Sequence, residues 1–115
     1  AERYAAGEHI LVSRRGLDAG PVDAALERVG LKRTIAVTVS SFSEALVLAQ
    51  SSDLIADVPE RYTMRLSDGM ARFALPVALP EHTVSMLWHP RMDADPAHRW
   101  LRACLREVCA ERQGR

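Results

Sequence analysis

The sequence predicts an α/β fold built on a parallel sheet, and three observations carry that prediction. Residues 34–39 (TIAVTV) alternate, with Ile35, Val37 and Val39 on one face and Thr34, Ala36 and Thr38 on the other, the period of two of a strand. Ser41 follows at once and Glu44 stands three residues on. The Ser41 side chain can accept the Glu44 N–H while the Glu44 carboxylate reaches back to the Ser41 N–H, a capping box that opens a helix. Phe42, Ala45, Leu46 and Ala49 then recur at helical spacing, and a short apolar run over residues 54–58 stops at Pro59. Strand, helix and strand joined by tight turns form a βαβ unit, with parallel pairing and a right-handed crossover. Such sheets take ligands at the carboxyl ends of their strands, beside helix N-termini, which directs attention to Ser40, Ser41 and Phe42.

The remaining elements follow in order. Residues 1–7 carry a weak signal for one helical turn, and residues 9–13 (HILVS) read as a buried strand. Arg14, Arg15 and Gly16 open a polar loop; no Lys-Ser/Thr phosphate-loop pattern follows, so solvated arginines are expected. Residues 21–29 form a helix with Pro21 in its first turn, the stripe Val22, Ala25, Leu26 and Val29, and Gly30 as its left-handed terminator, with Leu31 folding back on Leu26. Residues 9–39 are therefore a first βαβ unit and residues 34–58 a second, sharing the strand between them. A short helix is expected over residues 60–66, with Arg61 and Arg65 exposed, and short strands over 71–75 and 83–88. The two prolines of LPVALP force an extended connector between the last two. In the final helix Asp95 is the N-cap, Pro96 occupies the first position, and Ala97, Trp100, Leu101, Cys104, Leu105 and Val108 make an apolar stripe that must bury against something. Arg99, Arg102, Arg106 and Glu107 form its charged face, and Trp88 and Trp100 are expected to pack this helix onto the preceding strand.

A chain of 115 residues with 48% hydrophobic and 26% charged residues has room for one small folded domain. Fifteen basic and fifteen acidic side chains cancel, so no basic footprint for nucleic acid is present in this stretch. Cys104 and Cys109 lie roughly 140° apart around a helix, which suits neither a disulfide nor a shared metal and agrees with a reducing, cytoplasmic setting. No apolar run approaches the ~20 residues of a membrane helix, and no signal-peptide pattern opens the chain. An opening Ala is read as the start of a fragment.

Nothing in the sequence assembles a catalytic set. His82, His89 and His98 do not follow a closed zinc spacing, and no Gly-x-Ser-x-Gly elbow or Cys–His pairing suggests a nucleophile. No enzyme activity and no cofactor are expected. Ser41 is fully accounted for as a helix cap, with a ligand role as the alternative, and Phe42 suits the core better than a pocket. Asp57 is unusual on a strand: solvation at an edge and pairing with Arg61 four residues on are the leading readings, with catalysis the least favoured of the three.

Three segments resemble the second half of the effector-binding region of LysR-type transcriptional regulators: the strand-Ser-Phe-helix corner at residues 39–42, the strand end Ile55-Ala56 before Pro59, and the tail LWHPRMDADPAHRWLR. The resemblance spans nearly the whole chain. It implies a type 2 periplasmic-binding-protein-like architecture of two subdomains joined by crossover strands. Residues 1–75 would be the distal subdomain, 76–82 the connector, and 83–115 a strand and helix returning to a proximal subdomain mostly absent here. It also implies a small-molecule effector in the cleft, lined on the distal side by Ser40, Ser41 and Phe42 with Leu54 and Ile55 behind them. DNA would be met only through an absent N-terminal domain. Homo-oligomers would pair through Leu46, Val47, Gln50, Leu54 and Ile55. Two departures stand out: Ser52-Asp53-Leu54 replaces a common Gly-x-Gly, and Asp57 replaces a common apolar residue. A fragment of a solute-binding transport protein, or a small α/β enzyme, are the alternative readings. Without its sheet, the segment of residues 83–113 is expected to pack on another chain or to improvise.

Overall fold

His9, Ile10 and Leu11 are three consecutive residues, and all three are buried. Neighbouring strand residues point to opposite faces, so a strand buried at every position needs cover on both. The computed structural model describes residues 1–63 and 65–111 and places this run in β1 (Glu8–Val12), the centre of a three-stranded parallel sheet. Its neighbours are β2 (Thr34–Val39) on one side and β3 (Ile55–Ala56) on the other. The strand shared in space is therefore β1, which corrects the expectation that the residue 34–39 strand sits in the middle. The chain crosses over β1 between β2 and β3.

The structure divides into two compact units, Ala1–Pro80 and Glu81–Arg115. In the first, α1 (Glu2–Ala5) and α2 (Pro21–Arg28) supply Tyr4, Ala5, Val22 and Leu26 to a buried cluster, with Leu31, Ile55, Leu75 and Val77 against it. Burying a leucine as fully as Leu26 contributes roughly 2 kcal/mol. α3 (Phe42–Gln50) packs on all three strands, with Ala45 and Leu46 buried. β2 has the expected alternation: Ile35, Val37 and Val39 turn inward and Thr34, Ala36 and Thr38 outward. α2 ends as its sequence requires. Gly30 has φ +73°, its N–H donates to the Glu27 carbonyl at 3.0 Å, and the Leu31 N–H returns to the Leu26 carbonyl at 2.9 Å.

Two expected strands are absent: neither residues 71–75 nor residues 83–88 form one among the described residues. Leu75 and Val77 contribute side chains to the core without joining the sheet, so burial there comes without a ladder. The expected helix at residue 60 is one turn, α4 (Glu60–Thr63), with residue 64 outside the described residues.

In the second unit a single 3-10 turn, Pro90–Met92, precedes α5 (Pro96–Glu111). The Asp95 carboxylate accepts the His98 N–H at 2.7 Å, the predicted N-cap. Arg102 departs from expectation. It is 5% exposed, donates to the carbonyls of Met92 (3.1 Å) and Asp93 (2.8 Å), and lies 4.5 Å from the centre of the Trp88 ring. The loop before α5 thus closes over the helix's charged face through a buried guanidinium. The apolar stripe stays open instead: Trp100, Leu101, Leu105 and Val108 are all exposed, and Trp100 does not pack the helix down as predicted. Gln113, at the end of the expected returning segment, lies outside the described residues.

Candidate functional site

The carboxyl edge of the sheet is where β1 and β2 hand over to loops and helices. The Ser13 N–H donates to the Val39 carbonyl at 2.9 Å, extending the ladder one step and holding the two exits side by side. After Val39 the chain turns through Ser40 into α3, whose N-cap is Ser41. The Ser41 hydroxyl oxygen accepts the Glu44 N–H at 3.2 Å, as the capping box requires. The return bond differs by one residue. The Glu44 carboxylate accepts the Ser40 N–H at 2.9 Å and the Ser40 hydroxyl at 3.1 and 3.2 Å, rather than the Ser41 N–H. Those donations from the Ser40 backbone and then its hydroxyl hold the Glu44 carboxyl below its ordinary range.

α2 opens on the same device. The Asp23 carboxylate accepts the Gly20 N–H at 2.7 Å, one position before the helix. Both helices leaving this edge therefore meet their positive ends with a carboxylate from their own first turn.

Of the five residues expected to line a ligand, the structure groups three. Ser40 is exposed, and Ser41 and Phe42 are half-buried beside it. Leu54 and Ile55 are not part of that corner. His9 pairs with Ile35 on one side and Ile55 on the other, while Val12 pairs with Val39. At ~3.3 Å per residue, Ile55 lies about 10 Å back along the strand direction from the Ser40 end. Its side chain fills the core beneath Gly7, where an added Cβ would sit 2.7 Å from the Ile55 Cδ1. Among the residues expected at an oligomer contact, Leu46 faces the sheet at 5% exposure, whereas Val47 (68% exposed) and Gln50 look outward from α3.

The most elaborate polar arrangement was not anticipated. Arg33, just before β2, is buried and clamps two carboxylates. Its Nε donates to Asp23 Oδ1 at 2.8 Å and an Nη to Asp23 Oδ2 at 3.0 Å; the other Nη donates to Asp57 and, at 3.2 Å, to the Tyr4 hydroxyl. Tyr4 in turn donates to the Asp57 carboxylate at 2.7 Å. Asp57 thus keeps partial access to water while its charge is met by Arg33 rather than by Arg61. Burial, and then the hydrogen bond to Asp57, push the Tyr4 phenol well above its ordinary range. Burial alone would raise the Asp23 carboxyl, but the Arg33 guanidinium and the Gly20 N–H hold it low. Burial would likewise lower Arg33, yet Asp23 and Asp57 keep it firmly charged. A carboxylate closing an apolar strand was the available signal: such a group calls for a buried cation, and Arg33 stands just before β2, on the other side of β1.

Nothing in this arrangement supplies a nucleophile or a metal cage; among the described residues no group of three His, Cys, Asp or Glu side chains could hold a metal ion. Nor is any described helix long and apolar enough to cross a membrane. The order β2-β1-β3 leaves a βα corner with two hydroxyls, those of Ser40 and Ser41, at the carboxyl edge of the sheet. Residues 1–110 match a family model, the LysR substrate binding domain.

The chain belongs to that family.

Its fold is accordingly the type 2 periplasmic-binding-like α/β class. The chain is 34% identical over 106 residues to the transcriptional activator NagR of a Ralstonia species, covering 90% of this chain and 35% of NagR. It is 36% identical over 107 residues to the activator NahR of Pseudomonas putida, covering 88% and 34%. LinR, a transcriptional regulator of Sphingobium indicum, is 35% identical over 115 residues, covering 95% and 37%. Among solved structures, the regulatory domain of MexT, a transcriptional activator in Pseudomonas aeruginosa, aligns with a TM-score of 0.60 at 34% identity, over 87% of this chain and 51% of that one. These relatives are regulators, not enzymes. The chain spans about a third of the length of the curated relatives it matches.

Proposed function

We propose that this LysR-family chain is the effector-sensing portion of a DNA-binding transcriptional regulator, and that it holds one wall of a cleft for a small-molecule inducer. The observation that carries this reading is the corner of Ser40, Ser41 and Phe42, set at the carboxyl edge of a sheet within a matched LysR substrate binding domain. Residues 1–75 serve as the distal subdomain, 76–82 as the connector, and 83–115 as the segment returning to a proximal subdomain. Contact with DNA is made by a separate N-terminal part of the longer regulator, in the cytoplasm. Self-association uses the outward face of α3, with Val47 and Gln50. Ser40 and Ser41 position the effector by hydrogen bonds, and Phe42 supplies an apolar edge.

The test is a thermal-shift screen of aromatic and short organic acids on the intact regulator. It is repeated on Ser41→Asp, which keeps a capping oxygen but adds charge at the corner. A compound that stabilises the native protein should lose its effect in the variant, with helix content by circular dichroism unchanged. An undiminished shift in both Ser41→Asp and Ser40→Asp would place the ligand elsewhere.

A further inference from the structure

We draw no further inference here: the strongest candidate, the exposed apolar stripe of Trp100, Leu101, Leu105 and Val108 along α5, is an unpartnered helix face, and nothing in the structure shows what covers it.

Discussion

Replacing Arg33 by Met keeps the volume of the buried stem and removes the charge that Asp23 and Asp57 share. The Arg33 side chain is 2% exposed, and the two carboxylates are 21% and 22% exposed. Removing one partner of a buried ion pair costs about 3–5 kcal/mol, chiefly because a charge is left without compensation. Partial access to water lets each carboxylate recover some solvation, so about 2–4 kcal/mol is expected. Against the ~6–17 kcal/mol typical of a chain this long, that loss is large. Urea unfolding of the full chain at pH 7, followed by far-ultraviolet circular dichroism, reads it directly. With a slope of about 2 kcal/mol per molar urea, the midpoint should fall by roughly 1–2 M. A second variant isolates the cause. Adding Asp23→Asn and Asp57→Asn to Arg33→Met removes the stranded charges and should restore at least half of the loss. The reasoning fails if Arg33→Met lies within about 0.5 kcal/mol of the native protein at an unchanged slope. It fails equally if the triple variant is no more stable than the single one.

Acid should expose the same clamp. The folded state holds Asp23 below its unfolded value, so its contribution is complete above about pH 4 and disappears as pH falls through the lower folded value. The acid limb of stability against pH should flatten in Arg33→Met. Ser41→Ala removes the oxygen that accepts the Glu44 N–H and should cost about 1 kcal/mol by thermal unfolding; no measurable change would show that the Glu44–Ser40 bonds alone start the helix. Arg102→Ala takes the side-chain donor from the Asp93 carbonyl, leaves the Met92 carbonyl with the Asp95 N–H alone, and removes the nearer guanidinium from the Trp88 ring. It should weaken the near-ultraviolet tryptophan signal while α5 keeps its far-ultraviolet signal, and an unaltered near-ultraviolet spectrum would contradict the packing described.

What could be read in the sequence was local. β2, the cap at Ser41, the termination of α2 at Gly30 and the Asp95 cap all depend on residues a few positions apart, and the structure places each within a residue of expectation. The strand order was not local. Two βαβ units sharing residues 34–39 fit β2 in the centre as well as β1, and only burial of the continuous run His9, Ile10 and Leu11 on both faces separates the two. The same limit explains the clamp, since Tyr4, Arg33 and Asp57 meet across the sheet with no spacing to announce them. Arg102 was misjudged for another reason. A helical wheel sorts residues by polarity, and a guanidinium can be buried when carbonyls and an aromatic face are waiting for it. Residues 71–75 and 83–88 have the composition of strands, but composition cannot say whether a ladder partner is within reach.

The placement of β1 has a consequence for how the chain matures. The central strand is laid down early, yet it is enclosed last. One flank waits for Thr34–Val39 and the other for two residues, Ile55–Ala56, that arrive after a helix and two turns. Until then β1 presents an unsatisfied row of backbone donors and acceptors between hydrophobic side chains, the form of strand that recruits other chains. Closing the second flank joins His9 to a residue far along the sequence, a slow step by the usual dependence of folding rate on contact distance. A nascent chain stalled before Ile55 should therefore be the species most prone to aggregate, and one extended past Pro59 should be rescued, with Arg33 fastening the late-arriving strand through Asp57.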